Sequence, residues 1–263
     1  MSIGGGVGIR APQKQSIPLV IAPHGRGGGP QHACAAWGDL PGYAHFAVVC
    51  PQGQGRVYMA YSWGYRGQID DLARMPAIVT HALPWLSLDG LRTYAVGASM
   101  GGQEMLLLVG RHPALLASAI AIDPATNLAT RYGPFAALRG GRTLQRLLRT
   151  EAGGTPAQAP QVYRLRSPDT YTRAIAESPT RLAVWWSTSD LIIRNQRTLQ
   201  VGAFLRQLAT RHPDVSVSQR IGTWPHGWPY GHALYAAAVF FRLFAPTDLP
   251  PGPGVVSPAV TVR

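Results

Sequence analysis

The chain is poor in cysteine and in long apolar runs, and each shortage excludes a class of protein. Its 263 residues include two cysteines, Cys34 and Cys50, too few for a disulfide framework, and no Cys/His spacing suits a structural zinc site. Cys50 ends a strand-like run and is interpreted as a buried thiol, with one Cys34–Cys50 bridge left open. No apolar run reaches the roughly 18 residues of a membrane span. Nor does the N-terminus resemble a signal peptide, so we leave a cytoplasmic or a processed, secreted location open.

Acidic residues are also scarce, which makes the chain strongly basic. Lys and Arg total 24 against 12 Asp and Glu, for a net charge of +12. Such a charge can indicate nucleic acid or an anionic surface as partner. Here the arginines are scattered singly and no nucleic-acid motif is found. We therefore expect a solvated basic surface, with neither nucleic acid nor membrane as partner, and leave the oligomeric state open.

The order of apolar segments predicts an α/β fold. Strand-like runs alternate with helix-like ones, and this alternation is typical of a doubly wound, mostly parallel sheet with helices on both faces. A hydrophobic content of 46% over 263 residues suits one sizeable core, so residues 1–263 are interpreted as one domain. The strands are expected near residues 18–22, 45–50, 93–98, 117–122, 181–187 and 215–220.

Three segments of this pattern carry further expectations. A helical stripe over residues 69–83 contains Pro76, which either kinks the helix or begins its second half. Residues 124–180 separate two strands by more than a plain crossover needs. They form either a small cap over the site or an ordinary helical excursion. The proline-rich tail from Pro246 onward is expected to lie on the surface without regular structure.

A glycine-flanked serine lies between a strand and a helix. Gly97-Ala98-Ser99-Met100-Gly101 follows an apolar strand-like run and precedes an apolar helix-like one. Strand, G-x-S-x-G and helix together form the context of a nucleophile elbow, in which a strained turn lifts the serine hydroxyl above the sheet. The alternative is a glycine-rich turn with no chemistry. A serine hydroxyl is a poor nucleophile alone, so the choice depends on a base and a carboxylate elsewhere.

Later strand ends supply both groups in the order Ser, Asp, His. Asp190 follows the strand-like run 181–187, and His226 lies on an irregular loop after the last strand. Open α/β sheets place their sites at such carboxyl ends. Asp123 also follows a strand and is the alternative acid, but Asp190 ends the strand just before the one that leads to the histidine. His232 is the alternative base, though it opens the last helix.

The loop after the first strand offers an oxyanion hole. His24, Gly25 and Arg26 follow the strand near 18–22, and we place one backbone N–H donor at Arg26 and the other at Met100. His24 is interpreted as a structural anchor of this loop. A phosphate-binding loop is the alternative reading, but the Lys-Ser/Thr ending and the G-x-G-x-x-G spacing are absent.

In these motifs the chain resembles the α/β-hydrolase superfamily. Within it, the chain is similar to the group of dienelactone-hydrolase-like enzymes, prolyl-oligopeptidase-like peptidases, feruloyl esterases and polyester depolymerases. The resemblance implies an α/β-hydrolase fold and a serine hydrolase that needs no cofactor and no metal. It also implies a shortened N-terminal sheet edge, because the family's two early antiparallel strands do not fit into residues 1–17, and no N-terminal propeller. The shared motifs are Pro23-His24-Gly25, Gly97–Gly102, Thr188-Ser189-Asp190 and His226-Gly227-Trp228.

Aromatic residues gather on loops expected at the active face. Trp63, Trp224 and Trp228 are the candidates for substrate contact, since tryptophan offers a flat apolar surface; the alternative is that they pack the loops. We therefore expect hydrolysis of small-molecule or polymeric esters, in particular bulky or aromatic ones, as in a feruloyl esterase or polyester hydrolase. A prolyl-oligopeptidase-like peptidase is the second reading. A hydrolase-like protein without activity that serves in binding is the third.

Overall fold

The sheet is the framework of the molecule. A computed structural model describes residues 16–53, 64–65, 67–226, 230–244 and 260–261. The strands are β1 (Ile17–Ile21), β2 (Ala47–Val49), β3 (Leu88–Ala98), β4 (Ser118–Ile122), β5 (Arg181–Ser187), β6 (Val217–Gly222) and β7 (Val260–Thr261). They form one sheet in the order β2-β1-β3-β4-β5-β6-β7. The first six run parallel, and β7 pairs antiparallel with β6. The predicted mostly parallel α/β sheet is confirmed.

Helices connect the strands and cover both faces. They are α1 (Pro30–Ala35), α2 (Leu40–Ala44), α3 (Gln68–Ala73), α4 (Met75–Ala82), α5 (Met100–Arg111), α6 (Leu128–Tyr132), α7 (Gly141–Ala152), α8 (Pro160–Leu165), α9 (Thr172–Glu177), α10 (Gln196–Leu199), α11 (Val201–Arg211) and α12 (Tyr230–Phe240). Two 3₁₀ helices cover Pro134–Ala137 and Pro168–Tyr171. Within the described ranges, no helix combines the length and the apolar character of a membrane span.

Alternate strand residues supply two separate cores. On β5, Leu182, Val184 and Trp186 pack with α3, α5, α9 and α11 on one face. Ala183 and Trp185 pack with α2 and α12 on the other face. Successive side chains of a strand point to opposite faces, so a strand that is apolar at every position is covered on both sides. This arrangement defines a doubly wound sheet.

Several boundaries differ from those expected. β3 begins at Leu88 rather than near residue 93, because its first residues are half-exposed or exposed and give no apolar signal. Pro76 lies in the first turn of α4, where proline is tolerated, and so begins the second half of the helical stripe. The tail was expected to lack regular structure, but Val260–Thr261 form the edge strand β7. The expected shortened N-terminal edge involves residues 1–15, which lie outside the described residues.

The two cysteines form a disulfide. Cys34 on α1 is bonded to Cys50, which follows β2, with their Cα atoms 5.7 Å apart. The interpretation of Cys50 as a buried thiol is therefore wrong. The cause is tertiary: α1 packs beside β2, which brings together two residues whose sequence spacing predicts no contact. The bridge closes the segment from residue 34 to residue 50, which begins eight residues after Arg26 of the predicted oxyanion loop.

Candidate active site

Ser99 occupies a strained turn between β3 and α5. Its φ of 57° and ψ of −118° lie in a region that side-chain-bearing residues rarely adopt. The turn brings backbone segments so close that a Cβ on Gly97 would lie 2.4 Å from the carbonyl carbon of Gly101. A Cβ on Gly101 would lie 2.6 Å from the carbonyl oxygen of Pro23. Both glycines of the G-x-S-x-G pattern are thus required by sterics, and Ser99 stands at the carboxyl end of the sheet.

A continuous chain of hydrogen bonds joins Ser99, His226 and Asp190. The distance from His226 Nε2 to Ser99 Oγ is 3.0 Å, and that from His226 Nδ1 to Asp190 Oδ2 is 2.8 Å. Ser99 follows β3, Asp190 lies three residues after β5, and His226 follows β6. The three side chains that the sequence selected, separated by up to 127 residues, are therefore in contact.

The surroundings of Asp190 determine the tautomer of His226. Asp190 Oδ1 accepts hydrogen bonds from the backbone N–H groups of Ile192 and Ile193, both at 2.8 Å. Burial raises the pKa of Asp190, but hydrogen bonds and charge from His226 and the two backbone donors outweigh this effect, so the net pKa lies below its ordinary value. An ionised carboxylate only accepts, which assigns the proton to His226 Nδ1. His226 Nε2 is then free to accept the Ser99 hydroxyl proton.

The loop after β1 lies against Ser99. A Cβ on Gly25 would lie 3.9 Å from the Ser99 Cβ and 3.5 Å from the carbonyl oxygen of Ala98. The backbone of Gly25 is thus beside the nucleophile, and Arg26, at which the sequence predicts one oxyanion donor, is the next residue. Met100, the predicted second donor, is the first residue of α5, where N–H groups have no acceptor within the helix. The assignment of the two oxyanion donors to the backbone N–H groups of Arg26 and Met100 stays a prediction.

The ring of His24 forms hydrogen bonds within this loop and with the segment that follows β2. Its ring nitrogens lie 2.8 Å from the carbonyl oxygen of Gly25 and 3.1 Å from that of Gln52. The ring is buried, and Gln52 lies two residues beyond the disulfide at Cys50. These contacts agree with the interpretation of His24 as an anchor rather than a base.

Asp123, the alternative acid, lies next to Asp190 but makes different contacts. Its Oδ1 accepts the backbone N–H of Ser187 at 2.8 Å, and its Oδ2 accepts Trp224 Nε1–H at 2.8 Å. Oxygen and nitrogen atoms of Asp123, Asp190 and His226 lie within 4.8 Å of one another, the spacing of a metal-ligand set. Each carboxylate oxygen of this set already accepts an N–H, and both nitrogens of His226 have partners, so hydrogen bonding accounts for the cluster without an ion.

Of the three predicted substrate-contacting tryptophans, Trp224 is the one that the structure describes. Its indole is buried, packs in the core that covers one face of the sheet, and donates to Asp123. The prediction that Trp224 offers its ring to substrate is therefore a poor fit to its position. The reason is that a tryptophan on a loop near a site can pack inward as readily as outward. Trp63 and Trp228 lie outside the described residues, as does the side chain of His232.

Two apolar side chains at the site were missed in the sequence. Leu191 is 68% exposed and Ile192 is 41% exposed, and both directly follow Asp190. Apolar residues are normally predicted to be buried, so nothing in the sequence indicated that these two are exposed. Both are exposed apolar side chains that lie next to a triad residue in the chain.

The insert over residues 124–180 packs against the site through its own apolar cluster. It holds α6 to α9 and both 3₁₀ helices. Its buried cluster includes Met100 from the elbow and Ile193 from the loop after Asp190. Arg131 of α6 is also buried here, with its guanidinium carbon 4.0 Å from the Phe135 ring centroid. The cap remains a prediction, now with direct contacts between the insert and two segments of the site.

Glu104 lies within α5 and is fully buried, as its place in the apolar helix predicts. It accepts hydrogen bonds from Gln68 Nε2 and from the backbone N–H of Gly64. Burial raises the pKa of Glu104 well above its ordinary value. The group ties the nucleophile helix to α3 and to the preceding loop.

Comparisons with known proteins identify the fold. No family model and no curated protein sequence matches the chain. Solved structures that resemble it include a puromycin hydrolase, with a TM-score of 0.63, 19% identity and coverage of 88% of this chain and 34% of that one. An acylaminoacyl peptidase from Pyrococcus horikoshii has a TM-score of 0.61, 15% identity and coverage of 89% and 38%. The chain thus spans about a third of the length of these two proteins.

Shorter proteins resemble the chain over most of their own length. The S-formylglutathione hydrolase FrmB from Staphylococcus aureus has a TM-score of 0.58, 15% identity and coverage of 87% of this chain and 85% of that one. At such low identities the likeness establishes the fold. The chain has the α/β-hydrolase fold, as the resemblance of its motifs implied.

Proposed function

We propose that this protein is a serine hydrolase that cleaves carboxylic esters through an acyl-enzyme. The observation that carries the proposal is the chain of hydrogen bonds from Ser99 through His226 to Asp190 at a nucleophile elbow. In this arrangement the base contacts the nucleophile, and an ionised carboxylate orients the base, which is the geometry that activates a serine hydroxyl. No cofactor and no metal are part of the proposal.

The proposed reaction has two halves. Ser99 Oγ attacks the ester carbonyl while His226 Nε2 takes its proton, and the backbone N–H groups of Arg26 and Met100 bind the oxyanion of the tetrahedral intermediate. His226 then gives the proton to the leaving alcohol. Water, deprotonated by His226, cleaves the acyl-enzyme by the same route. Throughout, Asp190 stabilises the imidazolium and holds its Nδ1–H.

Bulky, aromatic or polymeric acyl groups are the proposed substrates. This choice is supported by the exposure of Leu191 and Ile192, the two apolar residues that directly follow Asp190 in the chain. The likeness to FrmB, an S-formylglutathione hydrolase, supports an esterase. The prediction that Trp63 and Trp228 contact the substrate is part of this proposal. The proposed enzyme is feruloyl esterase-like or polyester hydrolase-like.

A prolyl-oligopeptidase-like serine peptidase is the second candidate. The observation that favours it is the resemblance to puromycin hydrolase and acylaminoacyl peptidase, each with a TM-score above 0.6. The two candidates share the triad and differ in the leaving group, which is an alcohol for esters and an amine for peptides.

A substrate panel separates the two candidates. It contains p-nitrophenyl esters of increasing chain length, feruloyl esters, aromatic polyester oligomers and dipeptide anilides. We expect the highest kcat/KM for an ester with a bulky or aromatic acyl group. Higher efficiency on a dipeptide anilide than on any ester would replace the esterase by the peptidase. Absence of labelling by a fluorophosphonate probe would favour the inactive binding protein instead.

A further inference from the structure

Asp123 is a buried carboxylate that the proposed reaction does not use. It follows β4, is 2% exposed, and has a φ of 43°. That left-handed conformation is uncommon for a residue with a side chain and persists where surrounding contacts impose it. Those contacts are the two N–H donors of Ser187 and Trp224 on its two oxygens, together with its own N–H, which donates to the carbonyl oxygen of Trp185 at 2.7 Å.

The two donors belong to the two loops that must meet in the triad. Ser187 ends β5, three residues before Asp190, and Trp224 lies two residues before His226. Ser187 Oγ also donates to the carbonyl oxygen of Trp224. The Asp123 carboxylate therefore holds the segment that carries Asp190 and the segment that carries His226 at one fixed separation. The contact between His226 Nδ1 and Asp190 Oδ2 depends on that separation.

The charge of Asp123 also faces the base. The net pKa of Asp123 is raised to about 6. Burial is the largest cause of the rise and the charge of Asp190 adds to it, while the Trp224 and Ser187 hydrogen bonds and the charge of His226 oppose it. The charged groups around it are Asp190 from the loop after β5 and His226 from the loop after β6, with Arg131 of α6 facing Asp190. An ionised Asp123 places a second negative charge beside the imidazolium that forms during the reaction.

We propose that Asp123 is a positioning residue of the triad: through Trp224 and Ser187 it sets the place of His226 against Asp190, and its charge stabilises the imidazolium. This inference rests on the proposed function. Protonation of Asp123 removes the charge, so activity is expected to fall as the pH drops through about 6.

Two variants distinguish the effect of the hydrogen bond between Trp224 and Asp123 from the effect of the Asp123 charge. Asp123→Asn removes the charge and turns an NH₂ group toward one of two N–H donors, which breaks one of the two contacts. Trp224→Phe removes the indole N–H alone and keeps the charge. Loss of that hydrogen bond raises the pKa of Asp123 further, because the bond favours the ionised carboxylate. The two variants should therefore move the acid limb of the pH profile in opposite directions.

The experiment measures kcat, KM and the pH dependence of kcat/KM on a p-nitrophenyl ester, with a thermal melt for each variant. For Asp123→Asn we expect kcat to fall about 10- to 100-fold with little change in KM, and the acid limb to move to lower pH. For Trp224→Phe we expect a smaller fall and an acid limb at higher pH. Asp169→Asn is the matched control, because Asp169 is also an aspartate with a raised pKa that accepts a hydrogen bond from a side chain, that of Asn127. The pH profile of this variant should equal that of the wild type.

Two results overturn the proposal. One is wild-type kcat in folded Asp123→Asn protein. The other is an equal loss at every pH with an unmoved acid limb in both variants, which would make Asp123 a purely structural residue. Fluorophosphonate labelling of the wild-type protein keeps the proposed function apart from this inference, because labelling of Ser99 tests the hydrolase whatever the Asp123 variants do. If Asp123→Asn fails to fold, the Trp224→Phe variant alone tests the proposal: an acid limb at higher pH supports it, and an unmoved acid limb overturns it.

Discussion

Replacing Asp190 by asparagine should switch the tautomer of His226. Asp190 accepts four N–H groups, two backbone ones on Oδ1 and those of His226 and Gln196 on Oδ2. An amide has one oxygen and one NH₂ group. If the NH₂ faced the two backbone donors, both of their hydrogen bonds at 2.8 Å would be lost, so the amide oxygen is expected to stay there. The NH₂ then faces His226 Nδ1.

The size of the effect follows from that geometry. Nδ1 must now accept, which moves the imidazole proton to Nε2, the atom 3.0 Å from Ser99 Oγ. Nε2 can no longer take the serine proton, so the nucleophile loses its base while the fold remains. A triad with the wrong tautomer loses about 10⁴-fold in kcat, or about 5 kcal/mol of transition-state stabilisation.

The assay is kcat/KM on a p-nitrophenyl ester, with the rate of fluorophosphonate labelling as a second measure. Asp123→Asn is the comparison, and its loss should be about a hundredfold smaller than that of Asp190→Asn. If Asp190→Asn kept more than a tenth of the wild-type kcat/KM, the reasoning on the tautomer would be refuted. If Asp123→Asn lost far more than Asp190→Asn, Asp123 would be the triad acid.

Three further predictions concern stability and the elbow. Replacing Cys34 and Cys50 together by serine opens a loop of 16 residues and should lower the free energy of unfolding by about 3 kcal/mol in chemical denaturation; an unchanged midpoint would contradict this. Arg131→Met removes a buried guanidinium for which the described residues offer no hydrogen-bond partner, and should stabilise the fold by about 1–4 kcal/mol, whereas a lower melting temperature would show a hidden partner. Gly97→Ala places a Cβ 2.4 Å from the Gly101 backbone and should cost about 100-fold in kcat; near-normal activity would contradict the elbow geometry.

The elbow and the triad order could be predicted because their signals are local. Gly97 and Gly101 flank Ser99 for a steric reason that acts within five residues, so the pattern is visible in the sequence. Asp190 and His226 each follow a strand, and parallel strands bring their carboxyl ends to one edge. Apolar runs and chain order therefore sufficed to select three residues that the structure brings into contact.

The remaining features depend on contacts between distant segments. The bridge between Cys34 and Cys50 requires α1 to pack beside β2, and β7 requires the tail to return to β6. The inward turn of Trp224 depends on Asp123, which is 101 residues away. Each of these partners lies in another element of the fold, so neither composition nor periodicity could reveal it.

Mass spectrometry of the fluorophosphonate-labelled protein and of its Ser99→Ala variant tests directly whether Ser99 is the nucleophile. We expect a single modification on the peptide that contains Ser99, none in the variant, and a loss of esterase activity on the order of a million-fold. The variant should melt at nearly the wild-type temperature. Labelling of another residue, or retention of more than roughly 3% of the activity in folded Ser99→Ala protein, would show that Ser99 is not the nucleophile.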